Sequence, residues 1–271
     1  MKHYRYLFFR RLTQIGLLVL YVGANVWGWK ILQGNLSSST LLGTIPLSDP
    51  YAVVQIAVTG ASLGMDIIIG ALIVSVFYAI VGGRAFCSWV CPINMITDAA
   101  AWLRRTFKLS ELQKRFYMSR SLRYWILALS LILSAVMGVA AFELISPISM
   151  AHRGLIFGMG MGGGALIVIF LFDLLVHENG WCGYVCPLGA TYSLLGKFSF
   201  IRVYHDAPKC TDCRDCITVC PEKEVLHMIN RSSESVVMGE CTNCGRCVDV
   251  CQESALKFSI RSFTKQPKDE E

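Results

Sequence analysis

The 271-residue sequence is poor in charged residues. Asp, Glu, Lys and Arg make up 16% of the chain, against about 25% in an average soluble domain. Hydrophobic residues make up 54%, and the mean hydropathy is +0.50. These values exclude an entirely soluble chain and predict that a large part of it lies in a membrane. The net charge of +6 follows a pattern typical of membrane topology, so no nucleic-acid partner is expected.

Two motifs that would indicate other functions are missing. No Cys-x-x-Cys-His sequence occurs, so no c-type haem site is predicted. The glycine-rich run at 158–164 has no Lys-Ser or Lys-Thr after it, which excludes a phosphate-binding loop. Its small residues instead predict close packing between helices.

The C-terminal part carries two cysteine motifs with one spacing. The first reads Cys-x2-Cys-x2-Cys-x3-Cys-Pro, and the second repeats it except that Gln252 replaces the proline. Three cysteines at successive three-residue steps wrap a loop around one corner of an iron–sulfur cube. In two-cluster ferredoxins, the fourth cysteine binds the other cluster. The pattern therefore predicts two [4Fe-4S] clusters. Their ligand sets are Cys210, Cys213, Cys216 and Cys251 for cluster I, and Cys220, Cys241, Cys244 and Cys247 for cluster II.

Zinc binding and disulfide bonds are the other uses of such cysteines. A zinc site needs four thiolates, usually as two separate Cys-x2-Cys pairs, and gains nothing from a third cysteine at the same step. Disulfides are less expected, because cluster thiolates belong in a reducing compartment. We therefore favour iron–sulfur clusters.

Four uninterrupted apolar runs precede residue 178, at 12–32, 63–82, 124–145 and 155–176. Each has about the 20 residues that cross a hydrocarbon core. They predict an all-α membrane bundle of four transmembrane helices over residues 1–200. We expect a C-terminal α+β two-cluster ferredoxin-like domain at 201–262, followed by a disordered tail at 263–271.

Lys and Arg are absent between Lys30 and Arg84, whereas the connection at 83–123 is rich in both. Because basic loops stay in the cytoplasm, we predict a multi-pass protein of the inner membrane. Both termini and the clusters would then lie in the cytoplasm, which keeps thiols reduced. The basic connection is expected to bind anionic membrane lipid.

Each pair of apolar runs ends in a Cys-x3-Cys-Pro motif. Cys87 and Cys91 follow the second run, and Cys182 and Cys186 follow the fourth. The duplication predicts two tandem two-helix repeats related by an axis along the membrane normal. Residues four apart share one face of a helical turn. The four thiols could thus form an additional redox site, either a metal centre or a redox-active thiol cluster. The alternative is four reduced structural thiols.

Four ionisable residues near the ends of the apolar runs are candidates for a quinol site. Such a site needs a base within hydrogen-bonding reach of a hydroxyl, beside an apolar slot. Glu143 and His152 could serve at the outer face, and Asp173 and His177 at the inner face. Residues at membrane ends are more often solvated, so the catalytic residues stay unassigned.

Several stretches resemble the NapH family, whose members are membrane quinol dehydrogenase components of periplasmic nitrate reductase systems. The resemblance is carried by residues 34–39, 46–50, 86–92 and 244–251 and covers nearly the whole chain. It implies that the chain oxidises quinol and relays electrons through a periplasmic iron–sulfur partner of the NapG kind. Nitrate reduction itself would occur in other components of the system.

The resemblance leaves a gap in the electron path. The tail clusters are predicted inside and the acceptor outside, across a bilayer of about 30 Å. Two alternative functions are therefore kept. One is a polyferredoxin assembly factor that reduces metal ions for respiratory-enzyme maturation, with Met150, Met159 and Met161 handling metal. The other is a membrane anchor whose clusters are structural.

Overall fold

The computed structural model describes residues 4–107, 118–157 and 160–261. Over these ranges the chain forms twelve α-helices and five β-strands. The predicted disordered tail and Met159 lie outside the described residues, as does part of the basic connection.

Helix α1 (Arg5–Trp27) opens the described chain and is 23 residues long. At 1.5 Å per residue it extends roughly 34 Å, enough to cross a hydrocarbon core. It ends where Gly28 takes a left-handed φ of 71°, which costs glycine little. Among the described residues, α1 is the one helix both long and apolar enough to span a membrane.

The predicted bundle of four transmembrane helices is wrong. The other apolar runs form shorter helices, namely α3 (Met65–Val81), α6 (Leu122–Met137) and α9 (Gly160–Leu175), with 17, 16 and 16 residues. The run at 124–145 breaks because Gly138 caps α6 with a φ of 66°, and it resumes as α7 (Ala141–Ile145). An uninterrupted apolar composition therefore does not give an uninterrupted helix here.

The segment after α1, which lacks Lys and Arg beyond Lys30, is ordered and partly buried. It forms a three-stranded antiparallel sheet, β1 (Leu32–Gly34), β2 (Ser38–Leu41) and β3 (Ile45–Ser48), in that order. Helix α2 (Pro50–Val58) follows, with a proline at its start and Asp49 as its N-cap. This arrangement is typical of a helix N-terminus.

Short helices surround the two Cys-x3-Cys-Pro motifs. The first motif joins α4 (Ala85–Trp89) to α5 (Ile93–Thr106). The second joins a π-helix (Trp181–Val185) to α10 (Pro187–Gly196). Helix α8 (Pro147–Phe157) packs against α9, and an added Cβ on Gly162 would come within 2.7 Å of the Met150 carbonyl oxygen. The small residue therefore permits close packing, as predicted for the glycine run.

The C-terminal part combines strands with short helices. Strands β4 (Ile201–His205) and β5 (Leu256–Ile260) pair antiparallel. Helices α11 (Asp215–Val219) and α12 (Arg246–Val250) lie inside the two cysteine motifs. Short 3₁₀ turns occupy Ala207–Lys209 and Lys223–Leu226. Six of the eight tail cysteines, all but Cys213 and Cys244, pack in one core with apolar side chains, including Val203, Val225, Leu226, Met228 and Val236.

The N-terminal end of α1 lies against this cysteine domain. The backbone N–H of Tyr6 donates to Asp249 Oδ2 at 2.8 Å, and the Tyr6 ring meets Phe258 edge-on at 5.4 Å. The end of α3 lies against the same domain, because Asn243 Nδ2 donates to the Val81 carbonyl at 2.9 Å. The cysteine domain is therefore packed on one end of the apolar helices.

The apolar helices leave large hydrophobic side chains exposed. Met65 on α3, Trp125 and Val136 on α6, and Val168 on α9 are each at least 65% exposed. In a soluble protein, apolar surface of this extent marks an interaction site. In a membrane protein, it is the surface expected where helices face lipid. Together with α1, these faces fit a membrane protein.

Candidate metal centres

Four cysteines line a cavity at the surface of the cysteine domain, called here the surface cavity. They come from both motifs: Cys210, Cys213, Cys216 and Cys251. Cys216 lies in the first turn of α11, and Cys251 follows the last residue of α12. Cys213 is exposed to solvent. The grouping is the same as the set that the spacing predicts for cluster I.

The other four cysteines of the tail line a second cavity, called here the inner cavity. They are Cys220, Cys241, Cys244 and Cys247, the set predicted for cluster II. Val203, Leu226 and Val236 form apolar walls. Three of these four cysteines are buried, in contrast to the exposed Cys213 of the surface cavity.

Left-handed residues flank the second cysteine of each motif at matching positions. Asp212 and Arg214 have φ values of 54° and 62°, and Asn243 and Gly245 have values of 47° and 75°. Alternating left- and right-handed residues turn successive backbone N–H groups to one side, which makes a concave site for anions such as iron–sulfur clusters. The backbone of both loops thus fits an anionic cluster.

Three arginines lie near the cysteines of the inner cavity. Arg202 is fully buried beside Cys241, and burial lowers the pKa of its guanidinium while the neighbouring thiolate opposes that shift. Arg202 also lies within hydrogen-bonding reach of the Cys241 thiol, whereas Arg10 Nη1 has no hydrogen-bond partner among the described residues. Arg10 and Arg246 carry charge near Cys244. Unpaired buried donors are costly, so this cradle also fits an anionic group with sulfur acceptors.

The cysteines of the two repeats line one further cavity, called here the repeat cavity. Cys87, Cys91, Cys182 and Cys186 all face it. They are free thiols, and each is at least partly buried. No three His, Cys, Asp or Glu side chains within the described ranges stand close enough to hold a single metal ion. The twelve cysteines of the chain are thus divided among three cavities, four to each.

The candidate residues for a quinol site are held by different partners. Glu143 Oε1 accepts from Ser37 Oγ and Ser149 Oγ, each at 2.6 Å. His152 is buried, its ring meets Tyr21 edge-on at 5.1 Å, and its Nε2 has no hydrogen-bond partner among the described residues. Burial lowers the pKa of His152, which favours the neutral imidazole.

The two inner candidates have backbone partners. Asp173 Oδ1 accepts from the Trp181 N–H at 2.8 Å, and His177 Nδ1 lies 3.0 Å from the Glu178 carbonyl oxygen. Asp173 thereby supports the π-helix that carries Cys182.

Sequence reasoning missed the buried ion pairs that join the cysteine domain to the rest of the chain. Asp98 on α5 accepts from Arg10 at 3.0 Å and Arg11 at 2.5 Å, and also pairs with Arg246. Burial alone would raise the pKa of Asp98, but the three arginines outweigh it and hold the pKa below its usual value.

A second buried ion pair connects Glu222 with Arg84. Arg84 Nη1 donates to Glu222 Oε1 at 2.5 Å, and the side chains are only 1% and 2% exposed. Arg120 also pairs with Glu222. The sequence feature that could have indicated this pair is that both residues stand next to cysteine motifs. Arg84 lies three residues before Cys87, and Glu222 directly follows Cys220-Pro221.

Comparison with known families agrees with this arrangement. A 4Fe-4S binding domain family matches residues 63–110 and 157–203, and each segment contains one Cys-x3-Cys-Pro motif. A 4Fe-4S dicluster domain family matches residues 202–252. The chain is therefore an iron–sulfur protein of the ferredoxin type.

Curated relatives narrow this class. The chain is 46% identical to the ferredoxin-type protein NapH of Haemophilus influenzae, over 82% of this chain and 77% of that protein. Identity to the Escherichia coli NapH is 44%, over 83% and 78%. Identity to the methylamine utilization ferredoxin-type protein MauN of Methylorubrum extorquens is 42%, over 80% and 75%. The chain belongs to the NapH family, as its motifs predicted. No solved structure matches it.

Proposed function

We propose that the chain is a membrane-bound electron-transfer subunit that oxidises quinol and passes the electrons on through iron–sulfur clusters. The observation that carries this proposal is the division of the eight tail cysteines. Each of two adjacent cavities is lined by four thiols, three from one motif and one from the other. In two-cluster ferredoxins, too, the fourth cysteine of each motif binds the cluster held by the other motif.

The residues then have the following roles. Cys210, Cys213, Cys216 and Cys251 hold cluster I, and Cys220, Cys241, Cys244 and Cys247 hold cluster II. A bound [4Fe-4S] cluster supplies reversible one-electron transfer. The backbone N–H groups of both loops and the Arg202 guanidinium stabilise the anionic charge. The exposed Cys213 makes cluster I the point of exchange with a partner protein.

We assign the membrane part to residues 1–200 and the cluster domain to 201–262. Tyr6 at the start of α1 contacts the cluster domain, so the N-terminus and the clusters lie on one side of the membrane. Lys2, Arg5, Arg10 and Arg11 precede or begin that helix. Basic residues favour the cytoplasmic side. This supports a chain anchored in the inner membrane with its cluster domain in the cytoplasm.

Quinol oxidation needs a proton acceptor. Each quinol releases two protons and two electrons as it becomes a quinone. We take His152 as the candidate base, because it is buried and its Nε2 has no hydrogen-bond partner among the described residues. Its neighbour Tyr21 supplies an aromatic wall, as an apolar slot for a quinone ring requires.

Two acceptor systems fit the relatives. The NapH relatives favour a periplasmic iron–sulfur partner of the NapG kind and the other components of a periplasmic nitrate reductase system. The MauN relative, nearly as similar, favours the same relay feeding a methylamine system. The metal-reducing assembly factor is the alternative, but none of the relatives cited above has a name of that kind.

The decisive experiment adds menaquinol or ubiquinol to the anaerobically purified chain in lipid nanodiscs and follows the clusters by electron paramagnetic resonance. We expect reduced-cluster signals within the mixing time of the experiment. His152→Gln should slow their appearance while leaving the cluster content intact, and Arg153→Gln, an exposed neighbour, should not. Clusters that stay oxidised under excess quinol of both types would refute quinol oxidation.

The acceptor is identified in cells. A strain that lacks the chain is tested for growth by periplasmic nitrate respiration and, separately, for growth on methylamine. Restoration of one phenotype by the wild-type chain, and not by Cys244→Ser, assigns the acceptor system. Restoration by Cys244→Ser in both tests would favour a structural anchor.

A further inference from the structure

We propose that the cluster domain is seated on the surface of the bilayer through an apolar patch that contacts lipid. The patch consists of Leu194, Phe198, Phe200, Val237 and Ile260 and is called here the junction patch. The inference rests on the membrane anchoring proposed above, because α1 brings the domain to the bilayer. It adds which face of the domain touches lipid and which cluster lies nearer the membrane.

The junction patch exposes large apolar side chains. Ile260 is 78% exposed and Phe198 is 69% exposed, and the other three residues are between 41% and 48% exposed. Single exposed apolar residues are normal on any protein surface. A contiguous group that includes two phenylalanines marks a contact surface instead.

The pairing of β4 with β5 brings Ile260 beside Phe200. Ile260 is the register partner of Ile201, and the Arg261 N–H donates to the Phe200 carbonyl oxygen at 2.7 Å. Phe198 lies two residues before Phe200, in the turn that joins α10 to β4. These three apolar side chains therefore come from one end of the two-stranded sheet.

The end of α10 supplies the other part of the patch. Leu194 lies in the last turn of the helix, four residues before Phe198. A Cβ added to Gly239 would come within 3.1 Å of the Lys197 backbone nitrogen, so the chain at Gly239 packs on the end of α10. Val237 stands two residues earlier and therefore lies near the same helix end.

The junction patch continues the apolar surface of α6. Tyr124 Oη lies 2.9 Å from Ser193 Oγ, and Leu194 is the next residue of α10. Trp125 follows Tyr124 and is 74% exposed. Tryptophan is enriched where membrane helices reach the lipid headgroups. The start of α6 thus places an interfacial residue beside the patch.

Helix α3 borders the patch in the same way. Asn243 Nδ2 donates to the Val81 carbonyl oxygen at 2.9 Å and to the Ile201 carbonyl oxygen at 2.8 Å. The end of α3 is therefore held beside the start of β4. Phe77 and Ile80 in the last turns of α3 are 54% and 47% exposed. The patch is thus continuous with the apolar faces of two helices, which identifies lipid as its occupant.

Basic groups at the edge of the patch fit lipid headgroups. Lys197 is exposed and directly precedes Phe198. Arg261 Nη1 donates to the Lys197 carbonyl oxygen at 2.9 Å, so a second positive charge lies close by. Cationic side chains beside an apolar patch attract anionic headgroups. This charge favours an anionic lipid surface over an apolar protein face.

Seating this patch on lipid fixes the order of the two clusters relative to the bilayer. Along β4, Ile201 is at the patch, Val203 lines the inner cavity and His205 lines the surface cavity. A strand rises about 3.3 Å per residue, so the second lining residue is about 7 Å farther from the patch than the first. Cluster II then lies nearer the lipid, and cluster I faces away from it.

Photo-crosslinking tests the contact directly. The photoreactive residue p-benzoylphenylalanine replaces Phe198 or Ile260 in the whole chain, which is purified anaerobically and placed in nanodiscs of phosphatidylcholine and radiolabelled phosphatidylglycerol. Irradiation should attach labelled lipid to the chain at both positions. The matched control carries the probe at Lys209, which is 59% exposed and follows the opposite end of β4. This position should take up no labelled lipid.

Variants of the patch separate the lipid contact from folding. With the probe at Phe200, Phe198→Asp/Ile260→Asp should lower the attached lipid several-fold while the iron content per chain stays at the wild-type value. The control Phe198→Leu/Ile260→Leu keeps the patch apolar and should bind as much lipid as the wild type. If the aspartate variant loses its iron, the crosslinks at Phe198 and Ile260 in the otherwise unchanged chain decide.

Two results would overturn the proposal. One is crosslinking of both patch positions to a second copy of the chain instead of lipid, and the other is equal lipid labelling at Lys209. The outcome is also separate from that of the proposed function. Labelled lipid without reduction of the clusters by quinol would support the junction patch and refute quinol oxidation, and cluster reduction without labelled lipid would do the reverse.

Discussion

Replacing Glu222 by glutamine tests whether buried ion pairs hold the cluster domain on the apolar helices. Glu222 is 2% exposed and accepts from Arg84, which is 1% exposed, and from Arg120. Removing one partner of a buried pair leaves the other charge uncompensated and typically costs about 3–5 kcal/mol. Arg84 keeps two carbonyl acceptors, Glu240 O at 3.1 Å and Cys182 O at 2.7 Å. We therefore expect a loss near the lower value, about 3 kcal/mol.

The measurement is the urea midpoint for the loss of cluster absorbance in detergent under anaerobic conditions. At an m-value of roughly 2 kcal/mol per molar urea, a loss of about 3 kcal/mol lowers the midpoint by about 1.5 M. The control is Arg214→Gln in the same domain. Arg214 pairs with Asp212 at 3.2 Å, and its side chain is 71% exposed. Exposed pairs contribute about 0–1 kcal/mol. Equal shifts for the two variants would refute the reasoning.

Other predictions concern the contacts of the cluster domain. Gly245→Ala would place a Cβ 2.4 Å from the Tyr6 ring, whereas Gly43 has a similar φ and open space around it. In thermal melts, Gly245→Ala should therefore destabilise the domain by about 1–3 kcal/mol more than Gly43→Ala does. Equal losses would show that this packing is unimportant. Because the pKa of Asp98 is depressed, its contribution is present above its unfolded pKa and is lost as pH falls through the lower folded value. The protection factor of the Tyr6 amide, which corrects for the intrinsic pH dependence of exchange, should therefore fall at acid pH in the wild type, and in Asp98→Asn it should be low at every pH. Arg202→Gln removes a charge beside Cys241 and should lower the potential of cluster II by on the order of 100 mV in a redox titration; an unchanged potential would separate Arg202 from the cluster.

The cysteine motifs could be interpreted from the sequence because cluster ligation depends on short spacings. Three cysteines in one loop have little freedom, and the matched left-handed residues at Asp212 and Asn243 are determined within that loop. The family could be predicted for the same reason. The buried arginines could not, since their partners lie 88 and 138 residues away, as between Arg10 and Asp98 or Arg84 and Glu222.

The helix lengths failed for a different reason. Hydropathy measures composition and is insensitive to a single residue that changes the backbone direction. Gly138 contributes almost nothing to an apolar average, yet its left-handed conformation ends α6 within the third run. The sheet at 32–48 was missed because short edge-paired strands depend on partners along the chain more than on their own residues.

Burial gives the three cysteine cavities an order. Cys213 in the surface cavity is exposed, whereas Cys241, Cys244 and Cys247 in the inner cavity are buried. A small polar cavity lined by Cys87, Cys182 and Cys244 connects the inner cavity with the repeat cavity. A protein partner can approach only the first of these sites closely, whereas an apolar quinol has its nearest lipid-exposed helices beside the last. If electrons enter at the apolar end, Ser88→Ala should slow reduction of cluster II by quinol without changing the iron content, because it removes the hydrogen bond to Thr242. Reduction of the same variant by dithionite at the exposed cluster I should keep the wild-type rate, and slowing of both reactions would mean that Ser88 supports the fold and not the electron path.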